Sequence, residues 1–343
     1  MKTGRSLTEL AMEVERQQHS KRDFVADTRS LAMMPDANLA IDGNGEVSPT
    51  DYCHGQIANR VQIPKKYYDR MKAESPELLA TNVNHWFESK PEKRMVRTID
   101  GKARAFLSNR YRPLDNYDLA QAVLPKIQQM NCDVKSCEVT ESHMYLKVVT
   151  ERITSNVKVG DPVQAGLVIS NSEIGAGSLR IEPMIYRLVC LNGMISTTHS
   201  MKKYHVGRGQ DSDGASEFFR TETKIQNDRA FWMKVNDTVS ATLTQDTFEV
   251  IVEQMRQGTE NRIDKDPAKV VEVVAEQYAL NDAEQGGILQ HLITGADLSQ
   301  YGLMNAITRM SQDLECYDRA TEMERLGGEV IALDNRQWNK MVA

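Results

Sequence analysis

Two stretches of this 343-residue chain interleave cations with aromatic rings. Residues 94–112 hold Arg94, Arg97, Lys102, Arg104, Arg110 and Arg112 against a single acid, Asp100, with Phe106 and Tyr111 among them. Residues 196–210, STTHSMKKYHVGRGQ, place Lys202, Lys203, His205 and Arg208 around Tyr204 and two glycines, a composition that predicts an exposed loop. Cations that track phosphates and aromatic faces that stack on bases, at about 1–3 kcal/mol per base, are how proteins hold single-stranded nucleic acid. The plain alternative is a solvated, charged sheet face, and sequence alone does not put the two stretches on one surface. A third stretch, residues 165–194, sets Arg180, Glu182 and Arg187 among apolar neighbours. Ionic residues inside a β-prone run predict a face that is not simply core.

Other chemistries fit less well. Asn171, Ser172 and Glu173 sit in the polar connection of that stretch and offer an alternative reading as a catalytic hydroxyl and acid. Asn and Ser more often hydrogen-bond local backbone to shape such a turn. Cys132-x4-Cys137 with His143, and His199-x5-His205, are the nearest approaches to metal-ligand spacing, and neither supplies a recognised four-ligand set. Gly175-Ala-Gly177 follows a β-prone run but leads into another strand. A dinucleotide site needs a helix N-terminus there to hold the pyrophosphate. No Gly-x-Ser-x-Gly elbow accompanies Cys190 or any serine, and Cys190 before Asn192-Gly193 reads as a buried thiol ahead of a turn. Neither a metal nor a cofactor is therefore expected.

The elements that must position these residues are legible from periodicity. Ser6–Gln18 predicts a short amphipathic helix, and Ser48-Pro49 and Ser75-Pro76 predict helix starts. Met95–Ile99 and Lys102–Ser108 around Asp100-Gly101 predict a tight hairpin, followed by a helix from Asp115 or Asn116. Val134–Thr140, His143–Thr150, Ala165–Ser170 and Ser178–Leu191 predict further strands, the last two paired as a hairpin. Beyond Gly214 the texture is helical: Ser216–Thr242, Phe248–Met255, Asp266-Pro267 to about Leu280, and a segment capped by Asp297 and ended by Gly327-Gly328. Glu329–Leu333 predicts a returning strand.

Composition bounds the rest. Hydrophobic residues make up 40% of the chain, enough at this length for a sizeable core. The first eighteen residues mix both charge signs and lack a signal peptide's apolar centre. No run of apolar residues is long enough for a membrane span, and five scattered cysteines fit reduced thiols in a cytoplasmic protein. The net charge of −6 is uneven: residues 1–208 carry 29 Lys and Arg against 24 Asp and Glu, and residues 209–343 carry 13 against 24. That asymmetry predicts a basic working part beside an acidic one.

FLSNRYRPLDNYDL (106–119), AGLVISNSEIGAGSLRI (165–181) with RLVCLNGM (187–194), and YGLMNAITRM (301–310) with ERLGGEVIAL (324–333) resemble domain-of-unknown-function family nine-three-two. The resemblance spans roughly residues 30–333. It implies an intracellular accessory role in phages, plasmids and other mobile elements, and it carries no catalytic residue over. The expected fold class is α+β: an antiparallel sheet built from hairpins in residues 94–198, flanked by N-terminal helices and a helical C-terminal part. A division into a core, 1–213, and an acidic helical region, 214–343, packed on it accompanies that expectation. The expected function is non-catalytic binding of single-stranded nucleic acid by a homo-oligomer, as in an annealing factor, away from membranes. Arg104, Arg110, Arg112, Arg180, Arg187, Lys202, Lys203 and Arg208 are the phosphate contacts, with Tyr111 and Tyr204 stacking on bases. The alternatives are an enzyme built on Asn171, Ser172 and Glu173, or a phage assembly or host-interaction scaffold.

Overall fold

The computed structural model describes residues 1–111, 114–196, 201–204 and 221–342. The chain groups into two compact units with interleaved borders. The smaller holds Ala11–Tyr117 and Ser172–Gly177; the larger holds Met1–Leu10, Asp118–Asn171 and everything from Ser178 onward. The composition break at residues 213 and 214 lies inside the larger unit.

The chain opens with helix α1 (Leu7–Ser20), as its periodicity predicts. Ser6 and Glu9 close its first turn reciprocally, the Glu9 N–H donating to Ser6 Oγ and the Ser6 N–H to Glu9 Oε2. Strands β1 (Arg22–Asp27), β2 (Leu31–Met33), β3 (Leu39–Ile41) and β4 (Gly45–Pro49) follow. Helices α2 (Asp51–Arg60), α3 (Lys65–Glu74) and α4 (Pro76–Ser89) then lead to the hairpin β5 (Lys93–Ile99) and β6 (Lys102–Ser108). The six strands form one sheet in the order β1-β5-β6-β4-β3-β2, antiparallel except for the β4–β6 pair. Asp100 (φ 55°) and Gly101 (φ 73°) both take the left-handed conformation that a two-residue turn between twisted strands requires. Helix α2 starts later than Ser48-Pro49 suggests. Pro49 ends β4 opposite Ala103, and Thr50 caps the helix by accepting from the Cys53 N–H. Leu39, Ile57, Tyr68, Leu79, Val83, Phe87, Val96 and Phe106 belong to the buried core of this unit.

Helix α5 (Asn116–Gln129) begins where the capping residues predict, and the second sheet follows. Its strands are β7 (Asp133–Val139), β8 (Met144–Asn156), β9 (Pro162–Asn171), β10 (Leu179–Arg187), β11 (Asn192–Ile195) and β12 (Met201–Tyr204). The order is β11-β10-β9-β8-β7, with β12 also pairing to β10. Two sequence expectations are corrected here. Part of the stretch 196–210 is strand β12 rather than loop, and 197–200 and 205–210 lie outside the described residues. Asn192-Gly193 lies inside β11, because the reversal is made by residues 188–191 with Leu191 at φ 52°.

The remainder is helical: α6 (Thr221–Thr242), α7 (Gln245–Glu260), α8 (Pro267–Gln277), α9 (Asp282–Gly295), α10 (Gln300–Met310), α11 (Tyr317–Ile331) and α12 (Asn335–Met341). The fold is α+β, as composition and periodicity lead one to expect. Helix α10 is capped by Ser299, whose Oγ accepts from the Gly302 N–H, while Asp297 accepts from Ser299 Oγ. Gly327-Gly328 does not end a helix, and 329–333 is not a strand. Both glycines lie inside α11, where a Cβ on Gly328 would stand 1.9 Å from the Ile195 carbonyl oxygen. Gly328 permits close approach to strand β11, and Gly327 permits close approach to α10, where an added Cβ would stand 2.4 Å from Thr308 Cγ2.

Charge is threaded through this packing. Lys147 on β8 and Glu324 on α11 are fully buried, with Nζ 2.6 Å from Oε2 and 4.6 Å from the centre of the Tyr317 ring. Burial lowers the Lys147 pKa. Lys147→Met strands the carboxylate and is expected to cost about 3–5 kcal/mol in denaturant unfolding, whereas Lys147→Met with Glu324→Leu recovers most of it. A single variant as stable as the parent protein contradicts a charged pair at this position.

Candidate functional site

The ionic residues of β10 divide into two fates. Glu182 accepts three bonds from Arg325 of α11, at 3.2, 2.9 and 2.6 Å, and Arg325 also donates to Ser170 Oγ. Arg187 forms a two-pronged pair with Asp161, at 2.6 and 2.9 Å, and Tyr301 donates to the same carboxylate at 2.7 Å. Both pairs are largely shielded from solvent, with Asp161 at 3% and Glu182 at 4% side-chain exposure. The expectation that these residues mark an open working face is corrected for Glu182 and Arg187. Each is matched by an opposite charge, and the Arg187 charge is already neutralised. Arg180 is exposed.

Arg180 lies where β10 and β12 change register. Leu179 pairs with Tyr204 and Ile181 with Met201, so one residue of β10 stands across from two of β12. That one is Arg180, and the two are Lys202 and Lys203. A bulge of this kind re-aims side chains and is common at sheet edges. Three cationic positions thus share one irregularity of the ladder, beside Tyr204. Arg208 lies outside the described residues.

The basic hairpin of the smaller unit is less free than its composition implies. Arg97 is 1% exposed and bonds Asp23 through Nε and Nη2, both at 2.8 Å, and Asp115 through Nη1 at 2.7 Å. Lys21 also pairs with Asp115. Arg104 is half-buried on β6 and Arg110 is exposed in the turn that follows. Tyr111 is half-buried against the cluster of Met95, Ala105, Leu107 and Ile174, and burial raises its pKa. Its ring is engaged in packing, which removes it as an open stacking platform. Arg112 lies outside the described residues.

Asn171 is buried at the end of β9, and Ser172 and Glu173 begin the connection to β10. Ser172 Oγ accepts from the Ala176 N–H at 2.9 Å, the local turn bond that such a residue favours. The Glu173 carboxylate accepts from the Asn116 N–H at 3.2 Å and stands 3.9 Å from Arg97, whose Nη1 also donates to the Glu173 carbonyl at 3.0 Å. Ile174 joins the apolar cluster, and Gln56 donates to its carbonyl at 3.0 Å. These contacts give the segment a holding role within the smaller unit. Sequence offers Asp115 as a helix start and gives Asp23 no role, because nothing local to either residue announces Arg97 as its partner.

Burial is the largest influence on Glu173 and raises its pKa, against the lowering pull of Arg97. A carboxyl raised on folding stabilises most below its unfolded value, near 4.5, and loses that contribution as pH rises through the folded value. The stability of the parent protein relative to Glu173→Gln is therefore expected to fall as pH increases above about 4.5, measured by unfolding across a pH series. A rise instead assigns the dominant influence to Arg97.

Among the described residues no helix is long and apolar enough to cross a membrane, and no group of three or more His, Cys, Asp or Glu is placed to hold a metal ion. Neither the curated proteins nor the solved structures give a match to this chain. Residues 105–326 match the family model described as Domain of unknown function (DUF932). That match takes in the end of β6, all of the second sheet and the helices through most of α11, and the chain belongs to this family.

Proposed function

We propose that this protein binds single-stranded nucleic acid without catalysis, as an annealing or strand-protecting factor in the replication or recombination of a phage or plasmid. It does so inside the cell and as a homo-oligomer. The observation that carries the reading is the placement of Arg180 across from Lys202 and Lys203 at the β10–β12 bulge. Cationic positions gathered at one place on a sheet attract a polyanion, and pairing them with phosphates releases counterions from the strand. Edge lysines also discourage edge-to-edge aggregation, which accounts for a lysine but not for three cationic positions at one bulge. Tyr204, opposite Leu179, supplies an aromatic ring next to them in sequence. Arg104 and Arg110 are the remaining phosphate contacts in this reading. The chain's net charge of −6 does not oppose it, since binding responds to local potential.

Affinity for a labelled single-stranded oligonucleotide is expected to fall steeply with salt, by about 0.7 logarithmic units per contacted phosphate. Lys202→Glu with Lys203→Glu is expected to weaken binding at least about tenfold and to flatten that slope by roughly 1.4. The thermal unfolding midpoint stays put. No binding by the parent protein at low salt, or equal binding by the double variant, overturns the assignment.

A further inference from the structure

A second cationic feature, unrelated to the bulge, lies in the smaller unit. An open groove of about 470 Å³ is lined by Gln56, Asn59 and Arg60 of α2, by Glu92 and Arg94, and by Phe106, Leu107 and Ser108 of β6. Its walls are fixed by hydrogen bonds. Gln56 Oε1 accepts from the Phe106 N–H at 2.7 Å, and the Phe106 ring stacks on Phe87 at 5.7 Å between centres. Arg94 lies over the Phe106 ring, 5.8 Å from its centre.

The charges in the groove do not balance. Arg60 and Arg94 both donate through Nε to one oxygen of Glu92, Oε1. Two guanidinium groups thus share one carboxylate, which leaves one positive charge in excess. Arg60 also donates from Nη2 to the Lys90 carbonyl. The terminal nitrogens of Arg94 have no hydrogen-bond partner among the described residues. A guanidinium has five N–H donors in a planar fork suited to a tetrahedral or planar oxyanion, and here most of that fork goes unused. Glu92 is 36% exposed while the two arginines are 20% and 21% exposed. The acid is therefore the member most easily turned out to solvent. Lys90 and Lys93 flank it on the exposed surface.

We propose that this groove is a phosphate site, in which a phosphate monoester takes the place of Glu92 between Arg60 and Arg94. A monoester has about −1.5 to −2 charge and three acceptor oxygens, so it answers both guanidinium forks where a carboxylate gripped through one oxygen does not. Glu92 is the built-in competitor that keeps the arginines aligned when the site is empty. The phosphate can be carried on a free mononucleotide or on the 5′ end of a strand, and the groove chemistry is the same for both.

The test is calorimetric titration of the full chain with inorganic phosphate, a nucleoside 5′-monophosphate, the unphosphorylated nucleoside, and 5′-phosphorylated and 5′-hydroxyl forms of one short oligonucleotide. Glu92→Gln removes the competitor without removing a donor. It is expected to bind phosphate and the monophosphate at least about tenfold tighter, the worth of one charge-assisted bond. Arg94→Gln is expected to weaken both by a similar factor, and the nucleoside does not bind. Preference for the monophosphate identifies a free nucleotide as the source; preference for the 5′-phosphorylated oligonucleotide identifies a strand end. Phosphate affinity that Glu92→Gln leaves unchanged, or no phosphate binding at millimolar concentration, overturns the proposal even if Arg94→Gln fails to fold. The Lys202→Glu, Lys203→Glu protein is expected to retain the groove's phosphate binding, which separates this result from that at the bulge.

Discussion

An ammonium and a carboxylate shut away from water between β8 and α11 set the terms for the larger unit. Lys147 and Glu324 each pay a desolvation cost that the other chiefly offsets, with the Tyr317 ring beside the ammonium, so the helix has few positions open to it. A shift of α11 by one turn leaves both charges unmatched. The same helix brings Arg325 to Glu182, and its first residue, Tyr317, to Ser136 at 2.6 Å. Apolar packing alone tolerates sliding between a helix and a sheet; these polar contacts do not. Gly328 reinforces the arrangement from the far end of the helix, because only a residue without a Cβ lets the backbone come so close to Ile195.

The smaller unit answers a comparable problem with a different charge. Arg97 is buried among Asp23, Asp115 and the Glu173 segment, and its four hydrogen bonds join β1, the residue before α5 and the 172–177 connection. Two residues that sequence offered as catalytic, Ser172 and Glu173, are thereby accounted for by architecture: one shapes a turn, the other meets an arginine and a backbone N–H. Such arrangements resemble active sites in composition because both need desolvated charge. They differ in that Arg97, Ser172 and Glu173 here already engage protein partners.

Much of the fold was legible before any coordinates. Hairpins announced by Asp100-Gly101 and helix starts announced by Asn116 or Asp266-Pro267 depend on local chemistry, and they lie where the residues put them. The misses share a cause. Gly327-Gly328 looks like a stop signal because glycine is a poor helix former, and only the proximity of Ile195 gives it another purpose. Helix α9 carries a capping box from Asn281 and Glu284, yet Gly286 and Gly287 weaken the periodicity that would announce it in sequence. Cationic residues were found by counting, and counting cannot see partners. Arg97, Arg187 and Arg180 look alike in a sequence, yet the first two are matched across dozens of residues and the third is exposed. Arg60 and Glu92 fell outside the basic stretches altogether, and only folding draws them together with Arg94.

Pro183, in the middle of β10, has a consequence for how the second sheet is divided. Its carbonyl accepts from the Ser196 N–H, so the edge of Pro183 that lacks a donor faces the side where β11 and β12 pair. Along that side β10 exchanges β12, at Leu179 and Ile181, for β11, from Met184 onward. Proline cannot complete a ladder, and here it marks the join between two partners. The β9 side of β10 runs through eight consecutive pairs, while among the described residues β12 is fastened by two. The second sheet is therefore a continuous fabric with a separately stitched hem. Peeling the hem from its strand breaks few backbone bonds and leaves the β9 ladder untouched, so that margin can be remodelled at low cost to the rest of the fold.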